Sequence, residues 1–400
     1  MRHSWLIATT LATGALLLAG CASESQGPRF HSGSAAVQRG DHFVERIGAC
    51  DFSGDGRLDF VVTGPTQAGQ QRTTVLATGG GRFTTDLQLE RGFGALATGD
   101  FDGDNHCDFA GLTGGRGGGS RNDFRLFYGE GEGRFPATVS RSARPAYPRA
   151  LAAGELDGDG IADLAVFYKT FRAKSDTVVF PGSADRDRPR QPRSHRVGTT
   201  AAAALAADVD GDGDTDLATL GRDRRIHLLV NRPGTFNRES SRAYDDAAGA
   251  GGLEASLAAG DFDGDGDADL AVADAGVDRV FLFTGDERPA MAATYRFPSH
   301  AGPRDLDAAD LDGDGDDDLV VLRQGPDGPV LTALRVATDG NGLTFRNTGD
   351  RRVEDLAEAG RLRLADLDEA GGPDAVVWGR TEAEPWMATI RDLRIVTGSP

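Results

Sequence analysis

Four carboxylates recur at fixed spacing in the ten-residue segment that begins at Asp261. Asp261, Asp263, Asp265 and Asp269 stand at positions 1, 3, 5 and 9, and glycines stand at positions 4 and 6. A hard cation such as calcium takes several oxygen ligands at about 2.3–2.6 Å, including a backbone carbonyl at position 7 of such a loop. Without a cation, four carboxylates this close would repel one another. The spacing therefore predicts a calcium-binding loop.

The same pattern occurs seven times, beginning at residues 51, 100, 155, 208, 261, 310 and 366. A period of about 50 residues indicates stacked repeats. We predict six calcium sites and a degenerate seventh, with side-chain ligands at positions 1, 3, 5 and 9 and a backbone carbonyl at position 7. The candidate ligands are Asp51, Ser53, Asp55, Arg57 and Asp59; Asp100, Asp102, Asp104, His106 and Asp108; Glu155, Asp157, Asp159, Ile161 and Asp163; Asp208, Asp210, Asp212, Asp214 and Asp216; Asp261, Asp263, Asp265, Asp267 and Asp269; Asp310, Asp312, Asp314, Asp316 and Asp318; and Asp366, Asp368 and Asp374.

Apolar residues around each loop alternate with a period of two, which is typical of strands. Position 2 is always apolar, and a short apolar run such as Leu270–Val272 follows position 9. Two more strands follow, near 279–283 and 292–297 in the fifth unit and near 330–336 and 343–346 in the sixth. The alanine-rich run 201–207 has helical propensity, but its place in the repeat predicts an innermost strand. Four strands in each of seven units predict an all-β, seven-bladed β-propeller.

An EF-hand is the main alternative for loops that begin D-x-D-x-D-G. It requires a bidentate glutamate at position 12 and flanking helices. Position 12 is Val, Gly or Thr in every copy here, as at Val272 and Val321. The EF-hand interpretation is therefore disfavoured.

The motif G-x-x-x-L-A-x-G-D-F-D-G-D-G-x-x-D-L, repeated in register from about Gly40 to Gly398, resembles FG-GAP/VCBS repeats. The resemblance implies calcium-binding propeller blades similar to those of the integrin alpha-subunit head, here over residues 41–398. Ser53 in the first loop and Glu369 and Ala370 in the last depart from the pattern and weaken the expectation of calcium there. A fold of this kind does not itself specify a ligand.

Residues 1–20 contain the single charge of Arg2 and an apolar run from about Trp5 to Leu18. This run is short for a membrane span and is typical of a secretory signal. The sequence Leu18-Ala19-Gly20-Cys21 resembles a bacterial lipoprotein cleavage box, which implies lipidation of Cys21 and a membrane anchor. An ordinary cleaved signal is the alternative. Residues 21–40 are rich in Ser, Gly, Gln and Ala and are predicted to form a flexible tether. The expected location is the cell envelope, outside the cytoplasm.

Cys50 and Cys107 lie at different places in adjacent repeats. Export makes a disulfide possible. We favour two buried free thiols over a bridge, since the two cysteines occupy different loop positions.

The sequence contains no catalytic constellation. The seven histidines show no HExxH spacing, and nearly all the aspartates belong to the loops. The net charge of −19 makes nucleic acid an unsuitable partner. We predict a non-catalytic module that binds a protein or polysaccharide, with a polysaccharide lyase or hydrolase and a structural envelope scaffold as alternatives.

Two features are candidate contact surfaces. The basic segment 185–196 could meet an acidic partner or an anionic sugar, and Tyr168, Phe171 and Arg172 combine aromatic and guanidinium groups that are common in binding hot spots. The alternative for the basic segment is a solvated loop. The alternative for the other three residues is ordinary strand packing. In such a propeller the face opposite the calcium loops would hold the ligand surface, near residues 111–122, 168–176, 240–253 and 323–328.

Overall fold

The computed structural model describes residues 29–31, 35–39, 43–79, 82–113, 123–142, 147–169, 176–186, 190–196, 199–232, 235–244, 255–286, 290–297, 302–339, 342–354, 356–367, 372–380, 385–390 and 394–396. These residues form strands and turns and contain no helix. No segment of the described chain is therefore a helix able to cross a membrane. The predicted signal segment and Cys21 lie outside the described residues.

Six of the seven blades are four consecutive strands. The N-terminal strands are β1 (Arg29–His31) and β2 (Ala35–Arg39). The first three blades are β3 (Arg46–Cys50), β4 (Asp59–Pro65), β5 (Gln71–Gly79) and β6 (Arg82–Leu89); β7 (Leu96–Gly99), β8 (Asp108–Thr113), β9 (Asp123–Tyr128) and β10 (Ala137–Ser142); and β11 (Tyr147–Gly154), β12 (Asp163–Lys169), β13 (Asp176–Phe180) and β14 (Arg193–Arg196).

The remaining blades repeat this arrangement. They are β15 (Ala201–Ala207), β16 (Asp216–Gly221), β17 (Arg225–Arg232) and β18 (Thr235–Ala243); β19 (Ala255–Gly260), β20 (Asp269–Asp274), β21 (Arg279–Thr284) and β22 (Ala290–Arg296); β23 (Pro303–Ala309), β24 (Asp318–Gly325), β25 (Gly328–Asp339) and β26 (Gly342–Arg352); and β27 (Glu358–Ala365), β28 (Asp374–Arg380) and β29 (Pro385–Ile390), followed by β30 (Arg394–Val396). Neighbouring strands are antiparallel within every blade. The predicted seven-bladed propeller is confirmed, and the alanine-rich run 201–207 is strand β15.

The predicted strands of the fifth and sixth units are confirmed, with nearly the predicted bounds in the fifth unit and greater length in the sixth. The predicted strands 279–283 and 292–297 correspond to β21 and β22, and 330–336 and 343–346 correspond to β25 and β26, which are longer. The carboxylate at position 9 begins the second strand of each blade. Each acidic loop therefore joins the first strand of a blade to its second strand.

The hydrophobic core is divided among the contacts between successive blades. The apolar residue at position 2 of a loop is buried and packs against the next blade: Phe101 lies with Leu164 and Val166, and Phe262 lies with Leu319 and Val321. Burial of a Leu, Val or Phe side chain contributes about 1.5–3 kcal/mol. Because the same contact recurs around the ring, each blade is stabilised by both of its neighbours.

The ring closes between the seventh and first blades. Phe60 and Trp378 stack edge to face with their ring centroids 5.2 Å apart. They belong to one buried cluster with Ile47, Val62 and Leu367. This apolar contact is the counterpart of those between blades that are neighbours in sequence.

The outermost strand of the seventh blade comes from the start of the chain. Strand β2 pairs with β29, so the blade has the strand order β2-β29-β28-β27, and β1 pairs with β30. The prediction of a flexible tether over 21–40 is therefore wrong for 29–31 and 35–39. These residues form strands because the edge of β29 offers backbone hydrogen-bonding groups that a tether composition does not reveal.

Cys50 and Cys107 form a disulfide with their Cα atoms 6.0 Å apart. The prediction of two free thiols is therefore wrong. Cys50 stands just before loop position 1, and Cys107 stands at position 8 of the next loop. In other blade pairs the same two places also meet, because a Cβ on Gly99 would lie 3.0 Å from the Ala162 Cβ and one on Gly154 would lie 3.0 Å from Thr215 Cγ2. The cysteines therefore occupy a contact that recurs between blades.

Replacing both cysteines, in Cys50→Ala with Cys107→Ala, should lower the free energy of unfolding. The bridge links residues 57 apart in sequence, and closing a loop of that length stabilises a fold by up to about 4 kcal/mol. Alanine fills equivalent places in other repeats, so packing should be kept. Denaturant unfolding of the oxidised wild type and the double variant measures the difference. Titration of the unfolded, unreduced wild type should show no free thiol other than Cys21, and two more free thiols would contradict the bridge.

Candidate metal centre

In the first six acidic loops, the carboxylate at position 1 is held by the loop's own backbone. In the second loop, Asp100 accepts hydrogen bonds from the N–H groups of Gly103 at 2.6 Å and Asn105 at 2.8 Å. In the fifth loop, Asp261 accepts them from Gly264 at 2.8 Å and Gly266 at 3.0 Å. The carboxylate retains lone pairs for a further ligand.

Positions 4 and 6 need left-handed backbone for this geometry. Gly264 and Gly266 have φ angles of 75° and 93°. Asn105 replaces glycine at position 6 with a φ of 64°, and asparagine is among the residues that tolerate this region. The glycines at positions 4 and 6 of the motif thus permit the sharp turn of the loop.

The carboxylate at position 9 is buried and connects three parts of a blade. Asp108 begins β8, accepts a hydrogen bond of 2.8 Å from the Phe101 N–H in the loop, and accepts one of 2.7 Å from the Gly129 N–H after β9. Asp163 makes the same pair of bonds with Leu156 and Gly182. A negative charge in such a position is costly unless hydrogen bonds or a cation compensate it.

The backbone hydrogen bonds do not compensate this burial fully. Burial raises the pKa of Asp108 and Asp318 to about 8 and the pKa of Asp163, Asp216 and Asp269 to about 7, and nearby loop carboxylates add to the shift. The ionised form is thus disfavoured in the folded chain. A divalent cation would stabilise that form.

Among the described residues, carboxylates converge in five of the loops. Within each group one oxygen per residue lies within 4.8 Å of the others. Positions 1, 3 and 9 converge in loops 2 to 4, and positions 1, 3 and 5 converge in loops 5 and 6. The groups are Asp100, Asp102 and Asp108; Glu155, Asp157 and Asp163; Asp208, Asp210 and Asp216; Asp261, Asp263 and Asp265; and Asp310, Asp312 and Asp314.

These donor sets fit calcium. Asp102 is 4% exposed, and its Oδ1 is buried without a hydrogen-bond partner; Asp263 Oδ1 is also buried without one. Calcium accepts carboxylate oxygens in flexible geometry. When bound, it would supply positive charge that holds the loop carboxylates ionised and close together.

The remaining predicted ligands differ from these groups. In the first loop, Ser53 donates its N–H to Asp59, and Arg57 lies 3.6 Å from Asp55, so this loop forms no such group among the described residues. Asp368 and Ala370 of the last loop lie outside the described residues. Residues at position 7, such as His106 and Ile161, donate their N–H to the position-5 carboxylate. Their carbonyl ligation stays a prediction.

Four arginines that sequence reasoning did not assign to the loops lie on the carboxylates at positions 3 and 5. Arg335 Nε lies 2.6 Å from Asp312 and its Nη2 lies 2.8 Å from Asp314. In the same way Arg232 contacts Asp210 and Asp212, Arg190 contacts Asp157 and Asp159, and Arg186 contacts Asp102 and Asp104. Arg186 and Arg190 belong to the basic segment 185–196, for which a solvated loop and a contact surface for an acidic partner or anionic sugar were the two interpretations. The structure places both on the protein's own loops.

The fifth loop has no such contact among the described residues. Burial and the neighbouring Asp265 carboxylate raise the pKa of Asp263. Arg288 of the same blade lies outside the described residues. Within the described chain, loops 2, 3, 4 and 6 thus carry an internal counter-ion and loop 5 carries only its carboxylates.

Other predicted surface residues are accounted for differently. Tyr168 is 1% exposed and packs in the core between the second and third blades, so it is a packing residue. Phe171, Arg172 and most of the expected surface 111–122 lie outside the described residues.

Comparison with known proteins agrees with this architecture. A family model described as FG-GAP-like repeat matches residues 100–166, 208–272 and 261–321. No curated protein matches the chain by sequence. A crystal structure of BBS1N in complex with ARL6DN, soaked with lead, is similar with a TM-score of 0.58 and 10% identity over 92% of this chain and 99% of that chain. A mercury-soaked crystal of the same complex gives the same values. At this identity the likeness shows the propeller fold.

Arg232→Gln should raise the calcium affinity of the fourth loop. The Arg232 guanidinium competes with a cation for Asp210 and Asp212, and a partly exposed pair of this kind contributes up to about 1 kcal/mol, or roughly fivefold in affinity. Isothermal titration with calcium measures the change. Arg225→Gln is the matched control, because Arg225 lies on the same strand and bonds Ser241 rather than a loop carboxylate. Equal effects of the two substitutions would contradict the competition.

Proposed function

We propose that this chain, which carries FG-GAP-like repeats on a seven-bladed propeller, is a calcium-binding, non-catalytic module that binds a protein or polysaccharide. The observation that carries the proposal is the convergence of carboxylates in five loops at one end of the blades. The loops join the first two strands of each blade, so calcium there would stabilise the propeller and shape the face that the loops form.

A binding role is favoured over an enzymatic role by where the acidic residues lie. The buried carboxylates with raised pKa that an enzyme would use as acids or bases are mainly position-9 residues, such as Asp108 and Asp318. Each is held by two backbone N–H groups or stands within a metal group, which leaves it poorly placed to contact a substrate. The similar BBS1N propeller is crystallised in complex with another protein, and this supports a protein as the ligand class.

Export and anchoring complete the proposal. Residues 1–20 would direct the chain across the membrane, and Cys21 would carry lipid that tethers the propeller at the cell envelope. The disulfide between Cys50 and Cys107 supports an oxidising compartment, because such bridges are rare in the cytosol.

Asp265→Ala should reduce the stabilisation that calcium gives. Calcium bound only by the folded chain adds about 2.7 kcal/mol per site at a concentration 100 times Kd, and this variant removes one ligand of the fifth loop. Thermal melts with millimolar calcium and with chelator measure the difference for each protein. Asp327→Ala is the control, because Asp327 is exposed in the turn between β24 and β25. A wild-type melt that is unchanged by chelator would overturn the calcium proposal.

Cys21→Ser should abolish lipid attachment. Expression in a bacterial host with labelled fatty acid, followed by membrane fractionation, measures the attachment. The wild type should carry label and sediment with membranes, whereas the variant should carry none. Label in both proteins would contradict the role of Cys21, and absence of label in both would remove the lipid anchor from the proposal.

A further inference from the structure

A cavity of about 150 Å³ lies between the second and third blades. Its floor is apolar and includes Phe124, Leu126 and Phe180. The ring centroids of Phe124 and Phe180 lie 4.7 Å apart. A cavity of this size accepts one benzene-sized group. The floor therefore fits a single aromatic or branched apolar side chain.

Three arginines line the same cavity. They are Arg141, Arg186 and Arg190, which outnumber the one carboxylate among the described lining residues, Asp185. The Arg186 guanidinium lies over the Tyr128 ring at 4.7 Å from its centroid. Arg141 donates a hydrogen bond of 3.2 Å to the Arg186 carbonyl. Guanidinium groups beside an apolar pocket are suited to a carboxylate that accompanies an apolar group.

Two of these arginines are the counter-ions of calcium loops. Arg186 contacts Asp102 and Asp104 of the second loop, and Arg190 contacts Asp157 and Asp159 of the third. Without calcium, the loop carboxylates thus neutralise the positive charge beside the cavity.

The cavity wall is also fixed to the same loops. The Ser183 N–H donates a hydrogen bond of 3.0 Å to the Phe101 carbonyl of the second loop, and the Gly182 N–H donates one of 2.7 Å to Asp163 of the third. Calcium in these loops and a ligand in the cavity would therefore act on one connected group of residues.

We propose that this cavity binds an acidic segment of a partner protein, with an apolar side chain in the pocket and adjoining carboxylates on Arg186 and Arg190, and that calcium promotes this binding. A cation in the second and third loops would take over the carboxylates that hold the two guanidinium groups. Their N–H donors would then be available to the partner at the cavity's edge. The inference rests on the proposed calcium binding and adds a ligand class and a place for it.

The test uses the peptide N-acetyl-Asp-Phe-Asp-amide with the full chain in millimolar calcium or chelator. Calcium should strengthen peptide binding about tenfold or more, measured by the shifts of peptide proton resonances. Peptides with Asn in place of both Asp residues, or Ala in place of Phe, should bind at least several-fold more weakly. Arg186→Gln and Arg190→Gln should each lose the calcium effect, whereas Arg225→Gln in the fourth blade should retain it.

The outcomes separate this inference from the calcium proposal. If titration shows that calcium binds but peptide binding does not depend on calcium, this inference alone is overturned. If calcium does not bind, both this inference and the calcium proposal are overturned. Peptide binding that is indifferent to the Phe side chain would remove the pocket from the account. Tighter calcium-dependent binding of a galacturonate hexamer than of the peptide would assign the site to an anionic sugar and overturn the protein partner.

Discussion

The structure depends on a buried carboxylate at the start of the second strand in every blade. Asp108 is 0% exposed, yet it holds the N–H of Phe101 in the acidic loop and the N–H of Gly129 beyond the third strand. The same residue type thus fixes the loop, begins a strand and ties in a third segment. Burial raises its pKa to about 8, so a positive charge nearby would stabilise its ionised form. Calcium can supply that charge, and among the described residues of loops 2, 3, 4 and 6 an arginine lies on the neighbouring carboxylates at positions 3 and 5.

The ring follows from repetition of one interface between blades. The apolar residue after position 1 enters the next blade's core, as Phe101 and Phe262 do. The residue at position 8 donates its N–H to the carbonyl oxygen of the residue at position 1 of the previous loop. The N···O distance is 2.9 Å from Ala162 to Asp100 and 2.8 Å from Ala268 to Asp208. The disulfide covalently links the same neighbourhood in the first blade pair. Metal loops and blade packing are therefore parts of one contact, and a change in loop charge acts directly on the interface between blades.

The repeated parts of this structure could be predicted from the sequence because their spacing is strict. The carboxylates at positions 1, 3, 5 and 9 and the period-two flanks located the loops, the strand over 201–207 and the blade count. The pairing of Cys50 with Cys107 was missed because positions that differ within a repeat meet only when the offset between blades is known. The sequence could not decide which segment closes the last blade, because β2 pairs with β29 at the other end of the chain and a composition rich in small residues does not indicate that pairing.

The arginines were missed for a related reason. Asn231 donates its N–H to Asp216, and Arg232 comes directly after Asn231 in the sequence. Val336 donates its N–H to Asp318, and Arg335 comes directly before Val336. Arg186 reaches the loop of the preceding blade. Long side chains approach the same carboxylates from different sequence offsets, so no fixed spacing marks them. These counter-ions make the loops unequal even though the motif is nearly constant.

The most direct test of the account is the number of calcium ions that the folded chain retains. Native mass spectrometry after equilibration in millimolar calcium and removal of free metal gives this number without reference to any ligand. The account predicts about five ions per folded chain, one for each group of converging carboxylates. A folded chain that retains none, with carboxylates held by protons and arginines alone, would contradict it.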